Sequence, residues 1–320
     1  MTRYSRVLGQ LRRMLVLGLL LLPAAMSWSS ASRAQDSRPI NGLIMLIEFE
    51  HIEGVRHWET QLGYRGFTAL VQVQHNVLAQ YPEDFARMAN AGHVIAGIHS
   101  ETAFWGVPYE EQLLRMRIAK STVEAVTGQP MRVFGSRYFA YDDNTLRAAD
   151  ALGIEFVLGR GTAGERAVVY DPIEYEARVI SVSNVPFAEM GTGSLCDYSL
   201  WARGASHEDF AVVLDRVLHE LHPSDMILVS HAYLGGAKLD WWRVYEDVLD
   251  SPDVSWRSFD QWLAALDTVT LPVAEIPVNM EVLYEVPQPA IPLEEMRNVP
   301  GLFPLTNPQP QSGFICPGCL

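Results

Sequence analysis

The stretch GHVIAGIH, residues 92–99, is the segment that most clearly indicates the fold of this chain. A short apolar run lies between His93 and His99 and predicts a buried strand. His99 then leaves that strand at the end where barrel enzymes place their catalytic groups. An imidazole in this position can bind a metal or transfer a proton near neutral pH. The alternative is a surface loop that carries two unrelated histidines.

Apolar segments alternate with amphipathic ones on both sides of this stretch. Strands are predicted for residues 42–49, 67–73, 94–98, 133–134, 156–158, 179–182 and 226–230. Helices are predicted for residues 76–91, 108–127, 142–152, 239–249 and 258–266, with another after Ser206. This alternation is typical of an α/β fold with a parallel sheet, either a barrel or an open doubly wound sheet. No GxxxxGK phosphate loop follows a predicted strand, which disfavours a nucleotide-binding fold of the P-loop type.

The two ends of the chain differ in composition from its body. Residues 1–34 combine arginines, an apolar run and a small-residue cleavage site, as in a secretory signal peptide. We therefore expect a periplasmic or extracellular protein with no membrane contact beyond that peptide, an uncleaved N-terminal anchor being the alternative. Residues 35–271 are predicted to form the barrel, and residues 272–320 a proline-rich tail ending in CPGC. In an exported protein Cys316 and Cys319 predict a small disulfide.

The charge of the chain restricts its partners. The formal net charge is −14 at pH 7. A surface this acidic argues against nucleic acid and anionic lipid, and it favours a neutral or cationic substrate.

Polar side chains follow four of the predicted strands. They are Glu48, Glu50 and His51 after the first, His99 and Glu101 after the third, Arg137, Tyr138 and Tyr141 after the fourth, and His231 after a late strand. In a barrel the carboxyl ends of parallel strands share one rim. Imidazoles, carboxylates and an arginine at one rim suit metal-assisted or acid–base hydrolysis. The alternatives are a solvated strand end for the glutamates and core packing for the tyrosines.

Several segments resemble, in the same order, the polysaccharide deacetylases, the NodB-homology group of carbohydrate esterases (family 4). GYRGFTALVQV is similar to the family's GxxATFFV strand, and GHVIAGIH to its GHEIGNH. FGSRYFAYDDNTLRAADALGIEF is similar to FRAPYFSYDENTLKALKELGF without a gap, and MILVSHAYLGG to the closing ILLHP strand. The resemblance covers most of residues 42–266. It implies a distorted (β/α)7 barrel that hydrolyses an N-acetyl or related amide of a carbohydrate or cell-wall-like substrate.

The resemblance also implies roles for individual residues. Glu50 matches the catalytic base and His231 the acid, while Asp197, in CDYSLWARG, matches an aspartate that orients a catalytic group. The residues expected to contact the carbohydrate or small amide substrate are Arg137, Tyr138 and Tyr141.

The metal motif departs from the family pattern. A divalent ion such as Zn²⁺ would have His51, His99 and Glu101 as its candidate ligands, since imidazole and carboxylate both suit zinc. The family's second ligand histidine is Ala103 here, and its motif arginine is Gly135. These differences leave two alternatives open: a metal-independent amidohydrolase of the same superfamily, and an inactive glycan-binding barrel.

Overall fold

The structure is a computed structural model that describes residues 38–48, 52–161 and 166–277, with the side chain of residue 189 excepted. From Pro39 onward the described residues form one structural unit. Four residues of the sequence predictions lie outside the described part, namely Glu50, His51, Cys316 and Cys319. The predicted signal peptide and most of the predicted tail lie outside it too. In the described part, no helix combines the length and the apolar character needed to cross a membrane.

Strands and helices alternate along the described chain. The strands are β1 Ile40–Glu48, β2 Ala69–Gln74, β3 Val94–His99, β4 Val133–Ser136, β5 Phe156–Gly159, β6 Val168–Pro172, β7 Arg178–Ser181, β8 Asn184–Pro186, β9 Thr192–Ser194, β10 Asp225–His231, β11 Val254–Trp256 and β12 Thr268–Leu271. The helices are α1 Glu53–Arg65, α2 His75–Gln80, α3 Pro82–Asn90, α4 Tyr109–Thr127, α5 Asp143–Leu152, α6 Asp197–Trp201, α7 His207–Arg216, α8 Ala232–Gly235, α9 Leu239–Leu249 and α10 Phe259–Ala265.

Most of these strands belong to one curled sheet. Its order in the described chain is β10-β1-β2-β3-β4-β5-β7-β6-β12, with β11 paired to β1 outside this path. Neighbouring strands from β10 to β7 run parallel, and only the β6–β7 pair is antiparallel. A curled parallel sheet with helices confirms the distorted (β/α) barrel that the sequence predicted.

The near-continuous apolar character of β1 follows from burial of both its faces. Leu43, Met45 and Ile47 point into the barrel interior. Ile44 and Leu46 point to the opposite side and pack in the layer formed with the helices. Alternate residues of a strand face opposite sides of its sheet, so the central positions of a strand covered on both faces are apolar.

Helix α10 closes the barrel at the amino ends of its strands. Trp262 is fully buried there, and its indole Nε1 donates a hydrogen bond of 3.2 Å to the Asn41 carbonyl at the start of β1. Phe259 packs edge-on against Phe156, with ring centroids 5.7 Å apart. The opposite end, where the strands finish, is therefore the open one.

The helices differ from the sequence prediction at several places, and the two longest differences have clear causes. The single helix predicted for residues 76–91 is two helices, because Pro82 begins the second and Tyr81 between them is not helical. Helix α1 was not predicted at all. Its buried residues Val55, Trp58 and Leu62 have helical spacing, but glycines at Gly54 and Gly63 weaken the pattern.

Candidate active site

A cavity of about 260 Å³ opens at the carboxyl ends of the barrel strands. Its wall includes Glu101, Arg137, Tyr138 and His231 from the set that the sequence singled out, joined by Arg160 and Cys196. The volume is near the lower end of ligand pockets, which span about 300–1,000 Å³. The cavity therefore suits one small group, such as a single sugar unit.

A buried carboxylate holds the histidine of this cavity. His231 ends β10, and its Nδ1 lies 3.2 Å from Oδ1 of Asp197, whose side chain has no exposed surface. The other donors to the carboxylate are the Ser230 hydroxyl and the backbone N–H groups of Tyr198, His231 and Gly235. A carboxylate fixed by so many donors sets the orientation of the imidazole and favours its protonated form.

The charge state of His231 follows from these contacts. Burial disfavours the imidazolium, but the hydrogen bond and charge of Asp197, together with the nearby Cys196, raise the pKa of His231 to about 9. The side chain is therefore cationic at neutral pH. A protonated imidazole can donate a proton to a leaving group, whereas metal ligation requires the neutral ring.

Cys196, Asp197 and His231 form a cluster in which one possible ligand atom from each lies within 4.8 Å of the others. The donors around this cluster do not fit a metal ion. Both oxygens of Asp197 already accept hydrogen bonds, and the Cys196 sulfur accepts one of 3.1 Å from the backbone N–H of Ser199. With these oxygen and sulfur atoms engaged by protein donors, the cluster is better suited to holding an imidazolium than to ligating an ion.

The structure places His99 outside the wall of the cavity that His231 lines. Its Nε2 lies 2.6 Å from Nη1 of Arg115 on α4, and its ring packs on Phe104. A guanidinium can only donate, so Nε2 accepts and its lone pair is occupied. Ile98, one residue earlier, lines the cavity instead. The predicted metal ligand thus faces the helices. GHVIAGIH is one residue longer than the family's GHEIGNH, and one added residue turns a strand side chain to the other face of the sheet.

Acidification is expected to destabilise the fold through His99. Burial, and then the charge of Arg115, lower the pKa of His99 to about 4, below the ordinary 6.5 of an unfolded chain. The stability linked to this neutral group is present above about pH 6.5 and is lost as the pH falls towards 4. Denaturant unfolding at several pH values measures the effect, and the His99→Gln variant should lose less stability over this window. Equal losses of unfolding free energy in the wild type and in His99→Gln would contradict the assignment of this pH dependence to His99.

The residues predicted to contact substrate divide into two groups. Arg137 and Tyr138 line the cavity, with the guanidinium 4.9 Å from the ring centroid of Tyr138. Glu101 lies at the same wall with a side chain that is 69% exposed. Tyr141, by contrast, is buried in the layer between sheet and helices, where it packs against Gly159. This position corrects the prediction that Tyr141 contacts substrate.

Gly135 shows why this chain has no arginine at that position of the family motif. A Cβ atom on Gly135 would lie 2.2 Å from Nε2 of Gln72, which is fully buried on β2. The Gln72 side chain therefore occupies the space that a larger residue at position 135 would need.

The sequence prediction missed three residues of the cavity wall, Arg160, Cys196 and Arg203. Arg160 comes directly after β5, so the rule that selected His231, a charged residue at the end of an apolar strand, also selects Arg160. Cys196 and Arg203 lie on the irregular segment around α6, where no periodic pattern indicates which side chains face inward.

Comparison with known proteins agrees with the fold. The polysaccharide deacetylase family model matches residues 62–157. No curated protein gives a significant sequence match. The polysaccharide deacetylase homologue from Pseudomonas aeruginosa PAO1 has a TM-score of 0.56 at 13% identity, covering 71% of this chain and 90% of its own. The homologue from Mycobacterium smegmatis has a TM-score of 0.54 at 12% identity, covering 73% and 96%.

An allantoinase, PuuE, is similar to the same extent. Its TM-score is 0.56 at 11% identity, and the match covers 71% of this chain and 90% of the allantoinase. At these identities the structural matches establish the fold, while the family model adds a match in sequence. The chain therefore has the NodB-homology fold and resembles the polysaccharide deacetylases in sequence over residues 62–157.

Proposed function

We propose that this protein is an exported hydrolase that removes an acetyl or related acyl group from the nitrogen of a carbohydrate substrate. The observation that carries the proposal is the Asp197–His231 pair at the wall of the strand-end cavity. The deacetylase match over residues 62–157 supports the choice of an amide bond. Export rests on the signal-peptide pattern of residues 1–34.

The proposed reaction adds water to the acyl carbon and breaks the C–N bond. His231 donates its proton to the departing nitrogen, so that the amine leaves neutral and the acyl group leaves as a carboxylic acid. Asp197 is a positioning residue that keeps the imidazole oriented and protonated. Glu50, outside the described residues, is the proposed base that takes the proton from water. This assignment follows the position of Glu50 directly beyond β1, which pairs with β10 so that Ile47 lies beside His231.

The rate of hydrolysis is expected to fall at alkaline pH. The raised pKa of His231 means that the acid is present below about 9 and is lost as the pH rises through that value. The rate should therefore decrease by about ten-fold for each further pH unit. A pH–rate profile of acetate release at saturating substrate measures this limb. A rate that increases through pH 9 would show instead that the neutral imidazole acts as a base.

The direct test of the function is acetate release from N-acetylglucosamine oligomers by the chain lacking residues 1–34. The assay is run with a chelator and with added Zn²⁺. Turnover that survives the chelator supports acid–base hydrolysis by His231 and Glu50. Turnover that requires Zn²⁺ supports a metal held by the residues beyond β1. No acetate release under either condition, at any pH from about 5 to 9, would overturn the deacetylase proposal.

A further inference from the structure

Arg160 is an unusual residue of the cavity wall because it is a buried cation with an unsatisfied donor among the described residues. The side chain is 7% exposed, and its Nε has no hydrogen-bond partner in the described part of the chain. Its backbone is nevertheless fixed, since the Arg160 N–H donates to the Phe139 carbonyl at 3.0 Å. A buried cation with no counterion is costly, so a rigidly held one at a cavity is a candidate ligand contact.

The surroundings of Arg160 add further positive charge. Arg137, Arg203 and the protonated His231 line the same cavity, and among the described lining residues Glu101 is the one carboxylate. Arg203 is held by the carbonyl oxygens of Ser199 and Thr192, while its Nε has no hydrogen-bond partner among the described residues. Burial, and then the charge of Arg203, lower the pKa of Arg160 to about 10. A cation in this environment is stabilised by any anion that enters.

We propose that Arg160 binds a carboxylate group of the substrate, so that the cavity selects an acidic sugar or acidic amide. The inference rests on the proposed hydrolase function and adds the class of substrate to it. A planar carboxylate matches the guanidinium in charge and accepts two parallel hydrogen bonds from it. Residues 159–164 read GRGTAG, a glycine-rich stretch around Arg160, so inorganic phosphate is the competing anion that the binding test has to distinguish from a carboxylate.

The acidity of the whole chain does not oppose this inference. The net charge of −14 is a sum over the entire sequence. Binding depends on the charges close to the ligand, since exposed charges farther away than about 10 Å are largely screened by salt. The net charge suggested a neutral or cationic substrate. The positive charge local to the cavity instead favours an anionic one.

Binding of glucuronate and of glucose, measured by calorimetry without any turnover, tests the proposal. Glucuronate is expected to bind about ten-fold more tightly or better, as charged hydrogen bonds allow. Arg160→Gln should abolish this preference and raise the melting temperature of the free protein, because it removes a buried unpaired cation. Arg160→Lys keeps the charge without the planar fork and should weaken the preference. Arg117→Gln, which removes an exposed arginine outside the cavity, should preserve it.

Several results would overturn the carboxylate site. They are equal affinity of the wild type for glucuronate and glucose, a preference that survives Arg160→Gln, or a large fall in the melting temperature of that variant. Stabilisation by inorganic phosphate but not by glucuronate would assign a different anion. Failure of the hydrolase proposal is distinguishable, because the preference for glucuronate would then remain while no amide is cleaved.

Discussion

Replacing Asp197 by asparagine is expected to lower the rate of acetate release by about 10²–10⁴-fold, the usual contribution of general acid–base catalysis. Asparagine can occupy the same space, but it removes the charge that raises the pKa of His231 to about 9. The imidazole, still disfavoured as a cation by burial, would then lose its proton at a lower pH. The alkaline limb of the pH–rate profile should therefore move to lower pH in the residual activity.

The stability of this variant has to be measured alongside its activity. Breaking a buried ion pair costs about 3–5 kcal/mol. In addition, the asparagine NH₂ group would take the place of one carboxylate oxygen and would face backbone N–H groups that now donate hydrogen bonds to Asp197. His231→Gln leaves Asp197 and its backbone donors in place, so it should stay folded with a similar loss of activity. Asp240→Asn, on an exposed aspartate of α9, is the matched control. Wild-type rates and an unchanged alkaline limb in Asp197→Asn would refute the role of the pair.

The sequence was sufficient to predict the fold and the position of His231. Both depend on local patterns, namely apolar runs of strand length and polar residues directly after them. The run MILVSH predicts a strand that ends at His231, and the structure places that residue beside Ile47 of β1 and at the cavity wall. The sequential order of β1 to β5 follows from short parallel connections, which the alternation of strands and helices already indicates.

The remaining site residues could not be predicted because their environments are tertiary. The face to which His99 points depends on counting residues from the start of β3, and a shift of one residue reverses it. Whether Nε of Arg160 meets a hydrogen-bond partner among the described residues depends on side chains contributed by distant segments. Similarly, Gln72 beside Gly135 comes from a different strand. None of these arrangements leaves a periodic or compositional signal in the sequence.

Replacing Gly54 by alanine is expected to destabilise the fold by about 1–3 kcal/mol or more, the range for overpacking. A Cβ atom at Gly54 would lie 1.9 Å from the backbone carbonyl oxygen of Ala232, at the start of α8. A backbone group cannot rotate away as a side chain can, so α8 itself would have to move. Denaturant unfolding of the variant measures the cost.

The same substitution is expected to lower activity, because α8 supplies part of the site. Ala232 directly follows His231, and the N–H of Gly235 donates to Oδ2 of Asp197 at 3.1 Å. Gly63→Ala is the matched control on α1, since nothing lies within 4 Å of its added Cβ. There alanine should stabilise the helix by about 0.5–1 kcal/mol and leave activity unchanged. If both variants gained stability, the close contact between α1 and α8 would not exist, and the position of Asp197 would have to depend on β10 and α6 alone.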